Sequence, residues 1–169
     1  MSEAAEVLKP KVHSEKMDIG LSEADRKEIS AGLSEILVDT YRLLIKTHIY
    51  HWNVVGPLFH SIHVLTEEQY NTLFEATDII AERVRALGHH APILSGKGVD
   101  TSIELRASGR SALEMVQDLV EDHEEAVRKM RDIGTKADEK GDLVTADMLT
   151  ARLTFHEKAL WMLRALISD

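Results

Sequence analysis

The residue types that bind divalent metals lie close together between His51 and Glu82, in the stretch HWNVVGPLFHSIHVLTEEQYNTLFEATDIIAE. Two histidines, His51 and His63, stand near one end, and two carboxylates, Asp78 and Glu82, near the other. His63 and Glu67 are four residues apart, as are Asp78 and Glu82, and side chains at i and i+4 share one face of a helix. Imidazoles and carboxylates that converge in this way suit iron or manganese and need no thiolate.

The spacing carries a further inference. Pro57, after Gly56, divides the stretch into the end of one helix and most of the next. His51 precedes Pro57 by six residues and His63 follows it by six, so in an antiparallel pair they lie at similar height. Asp78 stands fifteen residues beyond His63, about 22 Å along an unbroken helix, too far for one ion to bridge. Those steps of about 100° bring Asp78 back to within roughly 60° of the His63 face. A two-fold axis at the middle of this helix would set His51 and His63 of one copy against Asp78 and Glu82 of another. The pattern therefore predicts a metal site shared between subunits.

Long helices must position these groups. Ser22 with Asp25 has the form of a capping box and opens the first, whose stripe is Ile29, Leu33, Ile36, Leu37, Thr40, Leu44, Thr47 and His51. The second runs from about Phe59 to Leu87 and stops at Gly88, with apolar positions Ile62, Leu65, Leu73, Ile80, Val84 and Leu87. Arg83 and Arg85 leave open a plainer reading of Asp78 and Glu82, as a solvated acidic face. His48 and His60, one turn from His51 and His63, are read as structural or supporting groups, and Trp52 as a core or interface aromatic.

Residues 89–110 form a long crossover, with a short helix expected over 100–105. Ser111 and Glu114 open a third helix to about Lys140, with Leu113, Val116, Leu119, Val120, His123 and Val127 on its stripe and His123 read as structural. After Gly141 a fourth runs from about Val144 to Ile167, burying Leu149, Leu153, His156, Leu160, Leu163 and Ile167, with Trp161 alongside. Two antiparallel helices, a long crossover and two more make an all-α, ferritin-like four-helix bundle.

At 169 residues the chain suits one domain, 21–169, preceded by a flexible arm, 1–20. It is 44% hydrophobic and 29% charged, an ordinary globular balance, and has no cysteine, which excludes disulfides and thiolate sites. No apolar run approaches the roughly 20 residues of a membrane span, and no secretory leader is visible, so a cytoplasmic location is expected. A net charge of −9 draws cations and disfavours phosphate backbones. In the arm, Lys9, Lys11 and Lys16 meet Glu3, Glu6, Glu15 and Asp18, so DNA binding through it is not supported.

The motifs HWNVVGPLFHSIHVLTEE and ATDIIAERVRALG, with GDLVTADMLTARLTFHEKALWMLRAL at 141–166, resemble the signatures of the Dps family, the miniferritins of starved bacterial cells. The resemblance runs from about Leu21 onward. It implies a hollow dodecamer that oxidises Fe(II) with hydrogen peroxide or O2 at two-fold interfaces and stores ferric mineral. It also implies ligands His51, His63 and Glu67 from one subunit and Asp78 and Glu82 from its neighbour. Glu67 stands where several members have Asp, one methylene shorter. Asp142 and Asp147 match acids lining the family's three-fold pores, through which iron enters. Ala151 replaces a third acid there, and Asp142 equally suits a helix N-cap.

Other functions fit less well. An enzyme with an intrachain di-iron centre would carry Glu-x-x-His motifs, and no histidine here has Glu three residues before it. The alternative within the family, a DNA-binding nucleoid protein with minor ferroxidase activity, meets the neutral arm and the acidic charge. A helical interaction protein without metal leaves the four-residue pairs unexplained.

Overall fold

The computed structural model describes residues 11–92 and 109–168, and the expected short helix over 100–105 lies outside them. Four helices follow one another: α1 Glu23–Asn53, α2 Phe59–Ala86, α3 Ala112–Glu139 and α4 Leu143–Leu166. They form two antiparallel hairpins, α1 with α2 and α3 with α4, packed into an all-α four-helix bundle.

The ends are set by local chemistry. The Ser22 hydroxyl accepts from the Asp25 N–H (3.1 Å), but the Asp25 carboxylate accepts from the Ser22 hydroxyl rather than from the Ser22 N–H, so half of a capping box forms. At Ser111 the box is complete, because Glu114 also accepts from the Ser111 N–H at 2.7 Å. Asp142 caps α4. Gly56, at φ +103, makes the turn between α1 and α2 in a conformation that side chains resist.

Gly88, at φ +88, ends α2 and lies under a crossing strand of backbone. A Cβ there would sit 2.5 Å from the Glu15 carbonyl oxygen, so a side chain would push away residues 11–20. Those residues are non-helical and fasten to this end of the bundle through Glu15 N–H to Gly88 O (2.8 Å) and Arg85 to Glu15 (3.2 Å).

Two apolar clusters fill the bundle. One, around Leu33, Ile80, Val84 and Leu149, lies toward the α3–α4 turn; the other, around Leu43, Ile62, Leu73 and Leu119, lies toward the α1–α2 turn. The expected stripes face the core, although Leu44, Val127, Leu153, Leu160 and Ile167 are only half-buried. Leu43 is fully buried where Leu44 was expected, and Leu113 is 50% exposed because it stands in the first turn of α3, outside the packed face. Trp52 and Trp161 also face solvent in the single chain, at 62% and 67% exposure.

Candidate metal centre

The α1–α2 turn brings His51 and His63 together. Their rings stack at 3.7 Å between centroids and 18° between planes. Each is fixed by the other's backbone: His51 Nδ1 donates to the His63 carbonyl (2.8 Å) and His63 Nδ1 to the His51 carbonyl (2.9 Å). A carbonyl oxygen only accepts, so each Nδ1 carries a proton, and the tautomer this selects for the neutral ring has its lone pair on Nε2. Backbone carbonyls thus do for these rings what outer-sphere partners do for metal-binding histidines: they set the tautomer and the ring orientation.

Aromatic neighbours brace the pair. Tyr70 meets His51 edge-on at 5.2 Å, and Phe59 lies 5.0 Å from His63. His48 sits 4.2 Å from Tyr70 and 4.0 Å from Trp52. Burial, and then the nearby His51, hold the His48 imidazole below its ordinary pKa. His48 is therefore a neutral packing group behind the pair. His60 is exposed.

The carboxylates stand apart from the histidines. Glu67, Asp78 and Glu82 are all exposed along α2. Among the described residues of one chain, no three His, Asp or Glu side chains gather as a metal-binding group. Nor are the acids neutralised by their neighbours in sequence. Arg83 turns away to Asp142 (2.6 Å) and the Thr145 hydroxyl (2.9 Å), and Arg85 to Glu15 and the His89 carbonyl. Among the described residues neither Asp78 nor Glu82 enters an ion pair.

Asp142 is 2% exposed. It accepts from the Thr145 N–H (3.0 Å), the Thr145 hydroxyl (2.5 Å) and Arg83. Burial alone would raise its pKa, but these donors and the Arg83 charge outweigh it and hold the carboxyl below the ordinary value. Its carboxylate is committed within the chain, as the N-cap that ties α4 to α2. Asp147, one turn on, is exposed.

A second histidine pair escaped the sequence reading. His123 Nδ1 and His156 Nδ1 lie 2.9 Å apart between α3 and α4, and neither ring is exposed. A signal for it existed: His123 and His156 fall eighteen and fifteen residues either side of Gly141, much as His51 and His63 flank Pro57.

A ferritin-like domain model matches residues 30–169. The chain is 45% identical over 156 residues to a low temperature-induced protein of Nostoc sp. (strain PCC 7120), covering 90% of this chain and 87% of that one. It is 39% identical over 127 residues to the DNA protection during starvation protein of Brevibacillus brevis, covering 74% and 85%. The crystal structure of a Dps protein from Bacillus brevis superposes with a TM-score of 0.78 at 34% identity, over 86% of this chain and 98% of that one. Fold and match together define a ferritin-like protein. Within that class, the chain belongs to the Dps family.

Proposed function

We propose that the chain is a ferroxidase and iron store: a cytoplasmic homo-oligomer, expected as a dodecamer, whose copies complete one another's iron sites. Fe(II) is substrate and cargo. His51, His63 and Glu67 of one copy bind it together with Asp78 and Glu82 of a second. The reading is carried by the reciprocal carbonyl clamp, which turns both Nδ1 atoms to the backbone and leaves both Nε2 atoms for a ligand, while among the described residues no three His, Asp or Glu side chains of one chain gather into a complete site. The exposed α2 residues Phe74 and Ile79, flanking unpaired Asp78, give the surface a second copy would cover.

Two Fe(II) ions give up one electron each, and hydrogen peroxide takes both as its O–O bond breaks into two hydroxides; O2 in its place takes one electron from each of four Fe(II) and, with two waters, ends as four hydroxides. Carboxylates favour the hard ferric product. The residues present hold the ions, and the redox change belongs to the metal. Asp147 supplies the negative lining through which iron enters, while Asp142 acts by fixing the start of α4.

The test is anaerobic Fe(II) loading followed by stoichiometric peroxide, reading ferric absorbance for wild type and Asp78→Ala, with assembly checked by light scattering. An intact Asp78→Ala oligomer should oxidise iron roughly a hundredfold more slowly. Equal rates from intact oligomers would remove the shared site.

A further inference from the structure

The bundle holds a second set of basic groups that iron binding does not use. His123 on α3 and His156 on α4 are fully buried, and Arg152, one turn before His156, is 8% exposed. Their hydrogen bonds run in one direction. Arg152 only donates, and its Nη2 lies 3.5 Å from His156 Nε2, so that nitrogen accepts. The His156 proton is then on Nδ1 and goes to His123 Nδ1, 2.9 Å away. His123 Nε2 then carries a proton that meets no acceptor among the described residues. The guanidinium itself rests over the Phe155 ring at 4.6 Å, and among the described residues no carboxylate pairs with it.

Beyond Arg152, this chain of donors consists of two imidazoles whose hydrogen bonds are consistent only with the neutral form. A proton added to His123 would go to Nδ1 and set two donors face to face, and one added to His156 would go to Nε2, against the donating Arg152 guanidinium. A groove of about 340 Å³ between α1 and α3 reaches His156 from outside. Its walls carry Asp39, Arg42 and Lys46 from α1, and Asp118, Asp122, Glu125 and Lys129 from α3, with Arg110 at one end. Asp39, Asp118 and Asp122 are already paired to Arg42, Lys129, Lys46 and Arg110, so they have little charge left for an imidazolium. Glu125 is exposed to water, and the buried face of α2 has no titratable side chain.

We propose that His123 and His156 form an acid-sensitive seam: protons arriving through the α1–α3 groove charge the pair and part α3 from α4. Burial and neighbouring positive charge hold both rings neutral, His123 at about 3 and His156 well below its ordinary value. A group neutral when folded and charged when unfolded destabilises the fold as pH falls below its unfolded value, here 6.5, until the folded value is reached. Each such ring raises the unfolded-to-folded ratio tenfold per pH unit in that window, so the pair raises it about a hundredfold.

The experiment follows unfolding of the assembled protein by circular dichroism from pH 6.5 to 4.5, at fixed concentration, for wild type and the double variant His123→Leu/His156→Leu. Wild type should lose stability more steeply than the variant by clearly more than tenfold per pH unit. An excess of tenfold or less overturns the seam. Should the variant fail to fold, hydrogen–deuterium exchange at the imidazole carbon of wild-type His123 and His156, read by mass spectrometry, decides instead. Neither ring should titrate above pH 5 in the assembled protein, and a step above that value in either overturns the proposal.

Discussion

Each helical hairpin is closed by a histidine pair, and the two pairs do opposite things. In the α1–α2 hairpin, two backbone carbonyls take the Nδ1 protons, so two lone pairs remain for a ligand. In the α3–α4 hairpin the rings bond to each other and an arginine occupies the remaining acceptor, so no lone pair remains. The first pair lies beside a solvent-facing turn, the second in the bundle interior. What an imidazole does is thus set by what its Nδ1 meets and by which charge stands behind it. Arg152 beside His156 disfavours a dication there, whereas the rings against His51 and His63 among the described residues are those of His48, Tyr70, Phe59 and each other.

Both histidine pairs depend on the hairpins keeping their registers, and Arg83 ties α2 to α4 through Asp142 and Thr145. Removing one partner of a buried ion pair leaves the other uncompensated, at a cost of about 3–5 kcal/mol. Asp142→Ala should show that loss in urea unfolding at neutral pH; a change near zero would mean that the hairpins are held together elsewhere. The pH dependence has a definite sign. The folded carboxyl of Asp142 is lowered, so its contribution is full above the ordinary carboxylate value of 3.8 and is lost as pH falls through the lowered one. The difference between wild type and Asp142→Asn should therefore be constant from pH 7 to 5 and shrink only below 3.8.

Next in size is the division of labour between the pairs. His63→Leu keeps the bulk of the ring and removes one lone pair, so iron oxidation should fall roughly a hundredfold, equivalent to about 2.7 kcal/mol. His123→Leu should leave the oxidation rate of assembled protein within about twofold, since no lone pair of that ring is available. Comparable losses in both variants, measured by ferric absorbance, would erase the distinction drawn between the hairpins.

The sequence made the helices legible because their boundaries are local. Ser22, Gly88, Ser111 and Gly141 each stop or start a helix through their own hydrogen bonds or backbone freedom. Leu43 and Leu113 were harder to place, since a stripe drawn by period alone cannot tell which edge a neighbouring helix covers. His51 and His63 were legible through equal distances from Pro57, but their carbonyl clamp was not, because it depends on the path of the backbone around Gly56. Arg83 kept open a solvated acidic face at Asp78 and Glu82, which are indeed exposed, but the sequence did not show that its side chain leaves α2 for the N-cap of α4, a partner 59 residues away.

The smallest effect probes the seam from the far end of its helix. Ser111 holds the start of α3 by accepting from the Glu114 N–H, and an N-cap serine is worth about 1 kcal/mol. Ser111→Ala should lower stability by that amount through a contact that contains no imidazole. The loss should therefore be the same at pH 7.5 as at pH 5.5, shifting the acid unfolding curve without changing its slope. A loss that grows on acidification, measured by urea unfolding at both pH values, would mean that α3 detaches from its N-terminus before His123 and His156 take up protons. The seam would then follow helix opening rather than cause it.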